Sequence, residues 1–370
     1  MERVESHTET NNAGSRRCAI QRVLIALAMV GSFVAAAPVG ASESGGSDAG
    51  EFNEPGNVLI ADQFNNRVIE VDRHHHVVWQ YGLGPTDFSP RSIIGVNDVQ
   101  RVGPFTLMAG TGTPPDVVPT CTNPDGCPDN RVILVSPAGR IVWQYGKFGV
   151  TGSGPEELNT PVQSTFLPNF HVLITDQGNQ RVIEVNLAGR IVWQYGTTGV
   201  SGNGANQLQD PNSAELLANG HVLIADENND RVIEVTRSGH IVATFTAGGT
   251  VSGVAFASRL ANGDTLITDA NNSRIVEVDR HDHVVWQYLT NTDPASNPAP
   301  APTRAVRLRN GHTLISDQFN HRVIEITPAG RIVFQVGTIN QPGDGPNALN
   351  GPYDAKVVGD YTGLTPPFGF

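Results

Sequence analysis

The sequence predicts an all-β fold: a six-bladed β-propeller of four-stranded antiparallel blades, closed by the C-terminal strand joining the N-terminal blade. Three observations predict it. One phrase recurs, as GNVLIADQFNNRVIEV from Gly56, FHVLITDQGNQRVIEV from Phe170, GHVLIADENNDRVIEV from Gly220, GDTLITDANNSRIVEV from Gly263 and GHTLISDQFNHRVIEI from Gly311. A sixth, interrupted copy runs from Phe105 to the RVILV that begins at Arg131. The spacing of about 40–50 residues is that of a propeller or a solenoid. The third observation is a mismatch at the ends. The first copy has no strand ahead of it, whereas the chain closes with PYDAKVV (Pro352 to Val358), which aligns with PNSAELL from Pro211. Pairing the last strand with the first copy completes a ring and hides both edges.

Each unit supplies four runs. The inner one is NSAELLA from Asn212, VQSTFLP from Val162 or TRAVRLR from Thr303. An Asn-Gly pair follows in several copies (Asn219-Gly220, Asn262-Gly263, Asn310-Gly311), and that pair accepts the positive φ of a two-residue hairpin turn. The second and third runs, HVLIAD and RVIEV in type, are rich in β-branched residues and bounded by Asn and Asp, which reads as strand. The fourth run, RIVWQYG or close to it, follows a tight turn such as Ala188 to Arg190. Four antiparallel strands make one blade.

Residues 1–41 have the pattern of an export signal. A polar stretch with Arg16, Arg17 and Arg22 leads into an apolar run from Val23 to Ala37 and then small residues up to Ala41. The apolar run is shorter than the roughly 20 residues that span a bilayer, so no membrane span is expected after the signal is removed. Both a Sec and a twin-arginine route fit, Ser15-Arg16-Arg17 being followed by Ala19 where the latter prefers an aromatic. The expected domains are a signal at 1–41, a disordered linker at 42–55 and the propeller at 56–370. The expected location is secreted, periplasmic or cell-surface. Cys121 and Cys127, in the interrupted copy, then form a disulfide. Past residue 41 the chain keeps 20 basic and 33 acidic side chains, a balance that repels phosphate and excludes nucleic acid as a partner.

The repeat resembles the NHL family through its Asp-x-x-Asn-x-Arg signature: Asp62-Asn65-Arg67, Asp176-Asn179-Arg181, Asp226-Asn229-Arg231, Asp269-Asn272-Arg274 and Asp317-Asn320-Arg322. The likeness covers about residues 56–358. Gly110 stands where the interrupted copy would have its Asp. The resemblance implies the propeller and leaves the activity open, since such propellers include binding modules, RNA binders and lyases. The RIVWQYG run is also similar to outer strands of arylsulfotransferase and quinoprotein propellers, with no catalytic signature in a matching position.

Five near-identical Asp/Asn/Arg sets suit a scaffold, with Arg bonded to Asp across the loop and Asn in a turn conformation. Trp79, Trp143, Trp193 and Trp286 read as packing between blades, with Phe245 and Phe334 in their place in the other two copies. His74 to His76, with His281 and His283, read as solvated turns. Function is expected where the copies differ. The inner strands, aligned on Ser213, place Asp354, Asn97, Gln163, Ser213, Phe256 and Arg304 in a ring at the channel mouth, with Asp98 one place along from Asn97. The ligand-binding candidates are therefore Asn97, Asp98, Gln163, Ser213, Arg304 and Asp354. The expected function is a binding scaffold for a protein, peptide or glycan, without cofactor. The alternative is an enzyme of lyase, lactonase or sulfotransferase type at the channel mouth. The resemblance to gluconolactonase-type propellers implies for that alternative a Ca²⁺ ion held by Asn97, Asp98 and Asp354.

Overall fold

A computed structural model describes residues 50–360; the expected signal at 1–41 with Cys18, and residues 42–49 and 361–370, lie outside the described residues. Six four-stranded antiparallel sheets form the six blades. Blade 1 is ordered Pro352–Val357, Val58–Asp62, Arg67–Val71, Val77–Tyr81 from axle to rim. The C-terminal strand pairs antiparallel with the first one, Val58 opposite Val357 and Ala61 opposite Asp354. The ring therefore closes as the end mismatch predicts. The other inner strands are Val96–Val102, Pro161–Phe166, Pro211–Leu216, Val254–Arg259 and Arg304–Arg307, for blades 2 to 6. The core lies between blades, where the Val, Ile and Leu residues of one sheet meet those of the next. Each such side chain, fully buried, contributes roughly 1.5–3 kcal/mol.

The repeated signature is a joint between a blade and the linker before it. In blade 1 the Asp62 carboxylate accepts from Arg67 Nε at 2.8 Å, Asn65 Nδ2 at 2.7 Å and the Asn350 amide at 2.8 Å. Asp176 and Asp226 do the same with the Asn159 and Gln209 amides. The turn residue at positive φ is not the Asn but its successor: Asn66, Gln180, Asp230, Ser273 and His321. Blade 2 keeps the joint by a substitution that the repeat does not show. Asp129, from the far side of the hairpin, takes the place that Gly110 leaves open; a Cβ on Gly110 would strike the Asp129 carboxyl. Asp129 accepts from Arg131 Nε at 2.5 Å and from the Ile94 amide at 2.7 Å.

Two further sets of bonds fasten the blades to one another. Each Trp indole reaches the next blade's outer turn: Trp79 donates to Pro137 O, Trp143 to Leu187 O, Trp193 to Arg237 O and Trp286 to Pro328 O, at 2.9–3.2 Å. Phe334 holds the Trp place in blade 6, but the register corrects blade 4: Ala243 lies opposite Glu234 where a Trp would be, and Phe245 takes the place of Tyr81, so other contacts serve at both joints. Asp282 accepts from the Thr246 and Ala247 amides, and Arg73 lies over the Phe334 ring. The Glu of RVIEV pairs with an arginine of the following blade: Glu70 with Arg101, Glu184 with Arg237, Glu234 with Arg259, Glu277 with Arg307 and Glu325 with Arg73.

Residues 50–55, part of the expected linker, are held by specific contacts. Phe52 packs near Trp79 and under the Arg101 guanidinium, and the Asn53 amide donates to Glu70 at 2.7 Å. The apolar ring and the buried acceptor hold a stretch whose Ser/Gly/Glu composition suggests disorder.

These joints fix the pH response. Burial raises the Asp62 and Asp317 carboxyls to about 6, more than their Arg67 and Arg322 partners lower them. Burial also raises Glu184, Glu234 and Glu325, but hydrogen bonds from His171 and Arg237, from His221 and Arg259, and from Arg73 and His312 outweigh it and leave these three below the ordinary value. The folded chain holds protons on Asp62 and Asp317 that the unfolded chain has released, so stability grows as pH falls through about 6. The glutamate contribution is complete above their ordinary 4.5 and is lost as pH falls through their lower folded values. Thermal melts are expected to show a maximum between 4.5 and about 6. A melting temperature that climbs steadily up to neutral pH contradicts this.

Candidate functional site: the axle and its mouth

An inner strand has one edge with no sheet partner, and its amides must find acceptors at the axle. Side chains of the neighbouring blade supply them. Asp354 accepts from the Val99 amide at 3.0 Å, Asp98 from Ser164 at 3.1 Å, Gln163 from Ala214 at 2.5 Å and Ser213 from Ala257 at 3.1 Å. Four of the six candidate residues thus stitch successive blades together. The pairing also corrects the alignment. Asp98 lies opposite Ala109, as Asp354 lies opposite Ala61 and Ser213 opposite Ala225, so Asp98 belongs to the ring and Asn97 sits one place before it. Blade 2 has Val96 where its neighbours begin with Pro161, Pro211 or Pro352, and without that marker the sequence alignment slips by one.

Phe256 and Arg304 are the two ring members that cannot accept, and there the pattern changes. Arg304 turns across the axle. Its Nη1 donates to Asn212 Oδ1 and Ala255 O and its Nη2 to Val162 O, each at 3.1 Å. The guanidinium lies 5.2 Å from the Phe256 ring centre and 5.0 Å from that of Tyr353. Asn212 Nδ2 meets the Tyr353 hydroxyl at 2.8 Å, a bond from blade 4 to blade 1, on opposite sides of the ring. Arg304, Tyr353, Phe256 and Asn212 are all buried. The channel is stoppered by its own side chains.

Beneath the stopper sits a residue that the sequence reading missed. Lys356 is two places beyond Asp354 and so on the same side of the strand. Its ammonium donates to Val99 O at 2.7 Å, to Asp98 Oδ1 at 3.1 Å and to Asp354. The cation between Asp98 and Asp354 is therefore an ammonium. Arg304 does not pair with Asp354. Burial pushes the Lys356 pKa down, but Asp354 and Asp98 outweigh it and hold the group above its ordinary value. Burial raises the Asp98 carboxyl, against the pull of Lys356. Glu215, buried at the same depth and accepting the Arg259 amide at 2.9 Å, is raised well above the ordinary range by burial. The usable signal for Lys356 was its rarity: the chain has two lysines, Lys147 and Lys356.

The layer above the stopper comes from the residues that follow each signature Asp, with Gln63, Gln318 and Asn97 buried and Gln177 and Glu227 half-buried. Gln318 Nε2 donates to Gln63 Oε1 at 2.7 Å, and Gln63 Nε2 to Asn97 Oδ1 at 2.8 Å. On the other side Gln177 Nε2 and Asn212 Nδ2 both donate to Glu227 Oε2, at 3.1 and 2.9 Å. Burial raises the Glu227 carboxyl. The next residue in each loop is Phe64, Gly178, Asn228, Asn271 or Phe319, and Phe319 is 37% exposed. The mouth is therefore an amide rim with one acid, aromatic on one side and small or polar on the other. Of the candidate residues only Asn97 bonds to this rim. The Cys121–Cys127 disulfide, with Cα atoms 6.0 Å apart, stands on the same face: Thr120 within its loop donates to Pro85 O of a linker at 2.7 Å. Among the described residues no group of three or more His, Cys, Asp or Glu is placed to hold a metal ion.

No protein-family model matches the sequence, and no curated protein matches it at a significant level. Solved structures do. The chain is similar to a protein of unknown function from Bacteroides caccae, with a TM-score of 0.53 and 17% identity over 76% of this chain and 93% of that one. It is also similar to a streptogramin B lyase, with a TM-score of 0.50 and 13% identity over 77% of this chain and 81% of that one. At these identities the likeness is one of fold, and it meets the topology above: an all-β ring of six four-stranded blades.

Proposed function

We propose that this protein is an exported binding module of NHL-repeat type, whose linker face takes a protein, peptide or glycan ligand at the mouth of the closed axle. The observation that supports this reading most is the contrast between layers. The signature Asp and Arg repeat with little change, whereas the rim residues one and two places on vary: Gln63-Phe64, Gln177-Gly178, Glu227-Asn228, Ala270-Asn271 and Gln318-Phe319. Amide side chains with both donors and acceptors, one carboxyl and an exposed aromatic ring form a set that reads polar, neutral surfaces. Asn97, Asp98, Gln163, Ser213, Arg304 and Asp354 are the floor on which that rim rests. Export is supported by the disulfide, and no described helix is long and apolar enough to cross a membrane. The binding reading is favoured over the enzyme because every bond that Asp98, Asp354, Lys356 and Arg304 make goes to the protein itself, with Asp354 Oδ1 and Arg304 Nε buried and left without a partner among the described residues.

Peptide and glycan arrays probed with the protein test this. Phe319→Ala combined with Glu227→Gln is expected to weaken the binding they reveal by about tenfold or more, as loss of an anchoring aromatic does, with an unchanged melting temperature. Array binding that the double variant leaves intact contradicts the mouth assignment. One divalent metal per chain by elemental analysis would instead favour the enzyme.

A further inference from the structure

We propose that the groove between blades 5 and 6 is a second site, for an extended peptide segment whose main-chain carbonyl bonds to Arg322. The argument begins with a glycine. The outer strands of blades 1, 2, 3 and 6 end at Gly82, Gly146, Gly196 and Gly337, all at positive φ. A Cβ there would collide with the carbonyl oxygen of the loop residue beside it, Asn66, Asn130, Gln180 or His321. Blade 4 has Thr246 at this position, its linker still reaching Arg274 through Thr250 O, and blade 5 has Leu289, paired opposite Arg274. The chain must leave that strand on another path, and the following linker is the Pro-rich one.

The consequence falls on the next blade's arginine. In four joints the guanidinium donates to a carbonyl of the linker before it, Arg67 to Asp344 O and Ala348 O, Arg131 to Pro90 O and Ser92 O, Arg231 to Asn203 O, and Arg274 to Thr250 O. In a fifth, Arg181 donates to the Thr198 hydroxyl, with its Nη2 buried and unpartnered among the described residues. Arg322 has its Asp317 partner and a 3.5 Å bond to Gln335 of its own blade. Among the described residues, no linker carbonyl meets its Nη2, and no linker amide meets Asp317. The linker meets this joint through Thr290, whose carbonyl accepts from Asn320 Nδ2 at 3.2 Å, and beside it Thr290, Thr292 and Asp293 with Tyr288, Arg322 and Gly330 wall a groove of about 330 Å³. Arg322 is itself 3% exposed, so its free donor points into the groove rather than to bulk water.

The occupant's chemistry follows from the joints that are filled. There the acceptor is a peptide carbonyl on an extended segment. Asp317 and Asp293 already surround the guanidinium with negative charge, which disfavours a carboxylate or phosphate and favours a neutral carbonyl. Tyr288 and the two threonines add a ring edge and hydroxyls along the same line. This site stands on the rim and does not depend on the mouth. Phe319 and Glu227 do not line it, and Thr292 does not line the mouth.

The probe is the capped heptapeptide Gly-Asp-Gly-Pro-Asn-Ala-Leu, the chain's own residues 343–349, which fill the Arg67 joint. At millimolar concentration it is expected to shift the side-chain NMR resonances of Arg322 and Tyr288. Thr292→Trp, which fills the groove without touching the Asp317–Arg322 pair, is expected to abolish those shifts while the melting temperature stays the same. No shift in the parent protein, or shifts that survive Thr292→Trp, would overturn the proposal. So would a glucose oligomer that moves these resonances when the peptide does not, since the groove would then be a glycan site.

Discussion

Replacing Lys356 with methionine is expected to cost about 3–5 kcal/mol of folding stability, the range for leaving a buried charge without its partner. Methionine keeps most of the volume and the apolar stem, so the loss isolates the ammonium. Asp98 and Asp354 are both 0% exposed, and each gives one carboxylate oxygen to the neighbouring blade's amide as well as serving the lysine. Without the cation two carboxyls face one another across a blade joint with no water to screen them. One must take up a proton, and the variant becomes more stable as pH falls. The loss belongs to the uncompensated charge and not to the ion triad as such. The triple variant Lys356→Met, Asp98→Asn, Asp354→Asn is therefore expected to recover most of the stability, because an asparagine oxygen still accepts the Ser164 or Val99 amide. A single Lys356→Met variant as stable as the parent would mean that the axle carboxylates are solvated.

The fold was legible because the repeat writes it six times. Strand pattern, the tryptophan staples and the orphan strand at Pro352 point the same way, and agreement between levels is what makes a fold readable. The Asn-Gly hairpins agree in position, though only Gly220, Gly263 and Gly311 take a positive φ there and not the asparagines before them. What the repeat hid was substitution in space. Gly110 reads as a lost signature, yet Asp129 supplies the carboxylate from the opposite strand, and nothing in the linear order announces that exchange. The Glu–Arg ladder between blades was missed for the same reason, since Glu184 and Arg237 belong to different copies. Phe52 was given to a disordered linker because composition carries no information about a ring that fits beneath one arginine.

The site was legible in part. Variation between copies located the axle correctly, but it could not separate a residue that varies to bind a ligand from one that varies to seal the ring. Gln163 and Ser213 differ because either can accept one amide. Arg304 differs because it spans the axle. The rim residues, by contrast, were passed over because they sit inside the most regular part of the repeat. Gln63, Glu227 and Gln318 each stand next to the signature Asp, where regularity suggests scaffold.

The axle is closed by its own buried side chains, Arg304, Tyr353 and Lys356 among them, and the proposed recognition falls to the linker face. The lysine content allows a direct measurement. Lys147 is exposed, its side chain retaining 50% of its free accessibility, and Lys356 retains 7%. Mild acetylation of the native protein, read by peptide mass spectrometry, is expected to modify Lys147 readily. Lys356 should react at least about a thousandfold more slowly, since its amine is reached only when the ring opens and that opening costs on the order of the folding free energy. The raised pKa adds to this by keeping the amine protonated. Lys356 labelled at a rate close to that of Lys147 would mean an open, wet channel, and would contradict the closed axle.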